Sequence, residues 1–182
     1  PITPFFGALG RPGKLLWELA GWPRAARRSG ARILHSPYLS VTSSVENHVM
    51  TVHDLIGFVL PFYARTPWMR IYNMLARSAV ANAALLLADS EFTAGDLTRE
   101  LGVSRDRIRV ISLGVDPRLA PASASAIEKL RSQYELPDSF VLYLGGGDRR
   151  KSLDTLIRSW FLTPSSQRPL LVMAGHIPCT GT

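Results

Sequence analysis

Three polar clusters stand where apolar runs of the chain stop: His35-Ser36-Pro37-Tyr38, His53-Asp54-Leu55, and Gly145-Gly146-Gly147-Asp148-Arg149-Arg150-Lys151. The third has the parts of a diphosphate cradle. Glycines let a backbone approach a ligand closely. A helix opening just beyond them offers unpaired N–H groups and the positive end of its dipole, and Arg149, Arg150 and Lys151 bring full positive charge. A plain strand–helix turn is the alternative, and the spacing from the glycines to Lys151-Ser152 is not that of a P-loop. An imidazole titrates near neutrality, so His53 can act as acid or base or can hydrogen-bond a substrate. A histidine satisfied by a neighbouring loop is the other reading, and for His35 it is the favoured one. Asp54 is placed to cap the turn that follows it. Trp68, Tyr72 and Met74 lie at helical spacing and read as core. No nucleophile elbow, zinc motif or nucleic-acid-binding module is present.

The elements that must hold these groups alternate in period. Residues 14–20 read as a helix behind Pro12-Gly13, which Pro23 kinks or ends and residues 25–28 resume. Residues 31–35 and 49–53 read as buried strands, the second rich in β-branched side chains. Thr66-Pro67 opens a helix running to about Ala84, since proline at the first helical position loses no needed hydrogen bond. Strand 85–88 and helix 90–101 follow. Either Ser90, or Thr93 with Asp96, can cap that helix, and Gly102 is placed to end it. Strand 107–112 completes this part. Beyond the small-residue stretch 121–125 come a helix at 126–134, strand 140–144, a helix at 152–160 and strand 170–174.

Strands alternating with helices imply βαβ units and parallel sheets, and the uninterrupted apolar runs imply helices on both faces. In such sheets ligands sit at the carboxyl ends of the strands. His35 and His53 are therefore expected to end neighbouring parallel strands on one rim. Two α/β pieces are expected: residues 1–118, then a linker and connecting helix over 119–137, then 138–182, whose two strands are too few for a parallel core of their own. The chain opens on Pro1 rather than Met and stops just beyond an apolar run, so an internal piece of a longer protein is expected.

The 182 residues are 46% hydrophobic and 19% charged, a globular mixture. The formal net charge is +7, carried by 18 Arg and 3 Lys. Arginine suits phosphate or an anionic membrane surface, but solvated faces in a chain that prefers arginine are the favoured source of the bulk charge, which names no partner by itself, and dispersed arginines without an aromatic–basic stripe argue against nucleic acid. The single cysteine, Cys179, excludes an intrachain disulfide and a cysteine-based metal site and fits a reducing compartment. No apolar stretch reaches the roughly 20 residues of a membrane span.

The order of short blocks is more specific. His35 to Tyr38, Thr51 to Leu55, Ala88 to Thr93, Arg109 to Asp116, Leu142 to Gly146, Arg150 to Leu153 and Leu171 to Gly175 follow one another as in glycosyltransferase family 4. The chain resembles that family from about Gly30 to Gly175, most of all its mannosyltransferase-type bacterial members, which build cell-surface polysaccharide. The resemblance implies a GT-B fold, in which two Rossmann-like domains face across a cleft, both incomplete in this chain. It implies a nucleotide-sugar donor, a glycan or lipid-linked acceptor, and transfer of a sugar such as mannose with retention of configuration and no metal or other cofactor. Site roles follow by the same resemblance: His53 beside the transferred sugar; Gly145, Gly146, Arg150 and Lys151 on the donor diphosphate; His35, Asp54, Ser90 and Glu91 on the substrate side. Gly146 departs from the pattern, since many relatives carry Arg there, with Arg149 as the available substitute. The family's paired glutamates are expected beyond Gly175; Glu128 and Glu135 are one residue too close together and lie ahead of the donor domain. The expected location is cytoplasmic; Trp17, Trp22, Arg24, Arg27 and Arg28 read either as a peripheral contact with the anionic inner face of the cell membrane or as an ordinary amphipathic helix with its tryptophans in the core. A non-catalytic Rossmann-like binding module is the competing reading, with the paired glutamates as the discriminating feature.

Overall fold

A computed structural model describes residues 10–43 and 45–175; Cys179 lies outside the described residues. Two compact units divide between Val115 and Asp116. Among the described residues, the first opens on α1 (Gly10–Leu16), a π-helical turn (Trp17–Gly21) and α2 (Trp22–Ser29) in one continuous run. Pro23 neither ends nor resumes anything: it sits buried in the first turn of α2, straight after the π turn. A widened turn ahead of a proline relieves the clash of its ring with the carbonyl one turn back. Gly21 is needed inside that turn, because a Cβ there would overlap the Trp17 ring. Gly30, left-handed at φ 67°, stops the run.

Then come β1 (Leu34–Ser36), β2 (His48–Val52), the short α3 (Ile56–Val59), α4 (Pro67–Asn82), β3 (Leu85–Ala88), α5 (Glu91–Leu101) and β4 (Ile108–Val110). The four strands form one parallel sheet in the order β1-β2-β3-β4. His35 and His53 therefore lie on neighbouring parallel strands. β1 and β2 are displaced from the expected spans, so His35 stands within β1 and His53 directly follows β2.

Met50, Val52, Leu86, Ala88 and Ile108 share one sheet face and are fully buried with Ala79, Val80 and Ala83 of α4 and Ala94 and Leu97 of α5. Truncating a side chain such as Leu97 to Ala in such a core costs about 2–5 kcal/mol. The alternate positions of β2 and β3 are only half-buried, a difference that four consecutive apolar residues at 85–88 could not reveal. The inward stripe of α4 is made of small residues, so it lies close on the sheet. Met74 is exposed, and Trp68 and Tyr72 are half-buried. The expectation that these three form core fails because Ala76, Ala79, Val80 and Ala83 already occupy the helix face turned to the sheet.

Caps fall on Thr66 and Ser90, which accept from the N–H groups of Met69 and Thr93 at 3.2 Å. Gly102 ends α5 at φ 69°. Arginines from neighbouring elements serve two of the carboxyl ends: Arg107 donates to the carbonyls of Val80 in α4 and of Ala83 just past it, and Arg77 of α4 donates to the Glu100 carbonyl of α5.

The second unit holds α6 (Ala124–Gln133), β5 (Phe140–Leu144), a 3₁₀ turn (Arg149–Lys151), α7 (Leu153–Leu162) and β6 (Leu170–Ala174). β5 and β6 pair in parallel with Phe140 opposite Leu170. The strands approach closely at their carboxyl ends. Gly145 N–H donates to the Ala174 carbonyl at 3.0 Å, and Gly175 has φ 127° where a Cβ would overlap the Gly145 carbonyl oxygen.

Glu18, in the π turn, is fully buried. Its Oε2 accepts from the Val41 N–H at 3.0 Å and the Tyr72 hydroxyl at 3.2 Å, and Lys14 Nζ lies 3.5 Å from Oε1. Glu18→Ala is expected to lower stability in equilibrium urea denaturation by about 1–3 kcal/mol from the orphaned Val41 N–H alone. Lys14→Ala, whose ammonium is half-exposed, should lose less.

Candidate functional site

The register of β2 and β3 sets Val52 opposite Ala88. The next residue on each strand is therefore carried to the same rim side by side: His53 and Asp89. His53 Nδ1 lies 2.6 Å from Asp89 Oδ2, and Nε2 lies 2.9 Å from the Pro37 carbonyl oxygen. The His53 carbonyl accepts from the Thr93 hydroxyl at 3.1 Å, in the first turn of α5. The ring is thus held from two elements and its backbone from a third, while its side chain stays 49% exposed; Asp89 is 16% exposed. The hydrogen bond to Asp89 raises the imidazole above its ordinary value. The Pro37 carbonyl and the charges of Asp89 and Asp54 add to this, and partial burial opposes it.

A cavity of about 350 Å³ opens beside His53, lined by Lys14, Tyr38, Asp54, Met69, Tyr72 and Asn73 among others. Lys14 Nζ lies over the Tyr38 and Tyr72 rings, 4.8 and 5.2 Å from their centroids. Tyr72 donates to the Leu39 carbonyl at 3.0 Å as well as to Glu18. Asn73 donates to the Gly57 carbonyl at 2.6 Å. Burial, and then the Glu18 carboxylate, push the Tyr38 phenol up to about 12, and Tyr72 goes higher for the same causes. Both phenols keep their protons and act as donors. The wall presents hydroxyl, amide, carboxylate and ammonium groups over aromatic edges, a mixture suited to a polyol. Among the described residues no three His, Cys, Asp or Glu side chains converge as a metal would require.

Of the residues singled out by sequence, His53 and Asp54 line this cavity. His35 does not: its Nε2 lies 2.9 Å from the Thr51 hydroxyl, a sheet-face contact. Ser90 caps α5 through the Thr93 N–H, and Glu91 forms an exposed two-oxygen pair with Arg105 at 3.0 and 3.2 Å. In the second unit, Gly145 and Gly146 follow β5. Asp148 accepts from the Arg150 N–H at 3.0 Å and holds the Arg150 guanidinium at 3.0 and 3.1 Å. Lys151 has no side-chain partner among the described residues. Ser152, at φ 48°, leads into α7 without a side-chain cap, so the first N–H groups of that helix have no local acceptor.

Asp89, Thr93, Lys14 and Tyr72 were not foreseen as site groups; Pro37 and Tyr38 stood in the first polar cluster without a role of their own. For Asp89 a signal existed, since it follows its strand as His53 follows the neighbouring one. For Lys14 and Tyr72 there was none, because 58 residues separate them.

The profile of Glycosyltransferase Family 4 matches residues 1–119. O-antigen chain mannosyltransferase B of Escherichia coli is 25% identical over 147 residues, 79% of this chain and 39% of that protein. The serotype-specific mannosyltransferase WbdA of Escherichia coli is 30% identical over 149 residues, 77% of this chain and 18% of its own length. The chain thus spans well under half of the curated relatives it matches.

Two histidines give opposite pH dependences of stability. His53 has its folded value above the ordinary 6.5, so its contribution is complete below 6.5 and is lost as pH rises through the folded value. His48, buried and 2.7 Å from the Ser36 hydroxyl, is lowered from 6.5, chiefly by desolvation. Its contribution is complete above 6.5 and is lost as pH falls through the folded value. Urea denaturation between about pH 5 and 8 is expected to show the basic-side loss flattened in His53→Gln and the acid-side loss flattened in His48→Gln.

Proposed function

The chain belongs to glycosyltransferase family 4, and from that premise we propose that the enzyme carrying it moves a hexose, mannose, from a nucleoside-diphosphate sugar to a glycan or lipid-linked acceptor with retention of configuration. The observation that carries this reading is His53, fixed at the carboxyl rim of the first sheet beside a cavity of polar and aromatic groups. The names of the relatives support mannose as the sugar.

When the glycosidic bond breaks, negative charge grows on the departing diphosphate, and fixed positive charge is needed where it develops. We assign that role to Lys151, with Arg150 as a second contact. Asp148 already balances the Arg150 guanidinium, whereas Lys151 has no such partner among the described residues. An interaction that strengthens in the transition state appears in kcat, and one equal in both states appears in KM.

Among the described residues no helix is long and apolar enough to cross a membrane. We place the enzyme in the cytoplasm, against the inner face of the membrane, where a lipid-linked acceptor would be presented. Arg24, Arg27 and Arg28 are exposed on α2, with Leu16 and Leu19 exposed just ahead of it. Trp17 and Trp22 are half-buried, Trp22 with its ring centroid 6.3 Å from that of Tyr38, so the arginines and leucines carry the contact. Full-length enzyme should co-sediment with anionic vesicles and release as salt rises; binding indifferent to lipid charge would remove this placement.

Transfer of radiolabelled mannose from a nucleoside-diphosphate donor tests the activity. In the full-length enzyme Lys151→Ala is expected to lower kcat by about 10²–10³, the cost typical of losing one preorganised charge-stabilising donor, with a smaller change in donor KM. Arg150→Ala should act in the same direction and less. Wild-type kcat in Lys151→Ala would take this residue out of the mechanism.

A further inference from the structure

We propose that Asp89 is a positioning residue that holds His53 as a doubly protonated, doubly donating imidazolium, so that His53 serves transfer as a hydrogen-bond donor and fixed cation rather than as a base. This rests on the glycosyl-transfer reading above.

The geometry leaves little choice of protonation. Asp89 Oδ2 lies 2.6 Å from Nδ1 and the Pro37 carbonyl oxygen 2.9 Å from Nε2. Both partners are acceptors, since a carbonyl oxygen never donates and an ionised carboxylate only accepts. A neutral ring has one N–H and would set a nitrogen lone pair against an oxygen lone pair at one of the two contacts. Two protons satisfy both, and the resulting charge is balanced by Asp89. The charged groups near the ring are Asp89 from the end of β3, Asp54 next in sequence, and Lys14 from α1 across the cavity. Thr93 of α5 and Pro37 after β1 present neutral groups. Two carboxylates against one ammonium favour the cation, and the raised imidazole agrees.

The two contacts differ in permanence. The Asp89 bond is charge-assisted and joins residues side by side on adjacent strands, and the Thr93 hydroxyl fixes the His53 backbone behind it. The Pro37 carbonyl is a neutral acceptor on a loop. A sugar hydroxyl or diphosphate oxygen entering the cavity can take its place and receive Nε2–H with no change in the protonation of the ring.

The test uses the full-length enzyme. Long-range ¹H–¹⁵N correlation spectra of the histidine rings across pH should show His53 with both nitrogens protonated, titrating above its ordinary value, and Asp89→Asn should bring that titration down. In transfer kinetics, kcat should fall as pH rises through the His53 titration. Asp89→Asn should move that falling limb to lower pH by the same amount, and Asp89→Glu should restore part of the shift. A neutral single-tautomer ring in the wild-type enzyme below its titration, activity that rises with pH through the His53 titration, or a limb unmoved in Asp89→Asn would each overturn the proposal. The spectra need no turnover. If no donor is consumed, the glycosyl-transfer reading fails while the spectra still report on the clamp.

Discussion

A buried carboxylate organises the first unit. Glu18 has no exposure, and one of its oxygens gathers the backbone of the loop after β1 and a hydroxyl from α4. The Thr42 hydroxyl also donates to the Glu18 backbone carbonyl at 2.6 Å, tying the same loop to the same helical turn. A buried charge without partners would cost several kcal/mol, so helix, loop and α4 must meet at that point or the chain gains nothing by folding there. Glu18 lies in the π turn. That turn rotates the side chains ahead of Pro23 relative to a regular helix, in the place where one carboxylate has to reach three elements. The cavity beside His53 has for its wall the same tyrosines and lysine that surround Glu18.

The rim depends on strand direction. Parallel pairing sends every carboxyl end to one edge, and in-register pairing of Val52 with Ala88 makes His53 and Asp89 neighbours without any special loop. The helix after β3 then does two tasks with one turn. Ser90 satisfies the Thr93 N–H, while the Thr93 hydroxyl donates to the His53 carbonyl. Groups positioned by strand ends and helix starts inherit the rigidity of the core beneath them, here Met50, Val52, Leu86 and Ala88, all fully buried.

The positive charge of the chain is largely structural. Arg107 and Arg77 serve helix carboxyl ends, Arg105 pairs with Glu91, Arg118 with Asp116 and Arg131 with Asp138. Arg168 stacks 4.9 Å from the Trp160 ring centroid and donates to the Thr163 carbonyl. Guanidinium suits this work because its planar donors reach several carbonyls at once. A net charge of +7 therefore points to a partner only at the few cations left over, Lys151 and the exposed arginines of α2 among them.

What was legible in the sequence was local. Periodicity and caps placed the strands at 85–88, 140–144 and 170–174, the proline start at Pro67 and the glycine stop at Gly102, because each depends on residues within a few positions. The order of short blocks was enough for the family. His53 and Asp54 stood out as polar residues closing an apolar run. Tertiary structure decided the rest. Only strand register makes Asp89 the partner of His53 and directs His35 to Thr51 instead. Only packing separates the face of α4 that meets the sheet from the one that carries Tyr72 to Glu18 and leaves Met74 in solvent. A buried charge such as Glu18 has no signature in sequence, because its partners Val41 and Tyr72 are distant along the chain and become neighbours only when the fold closes over it.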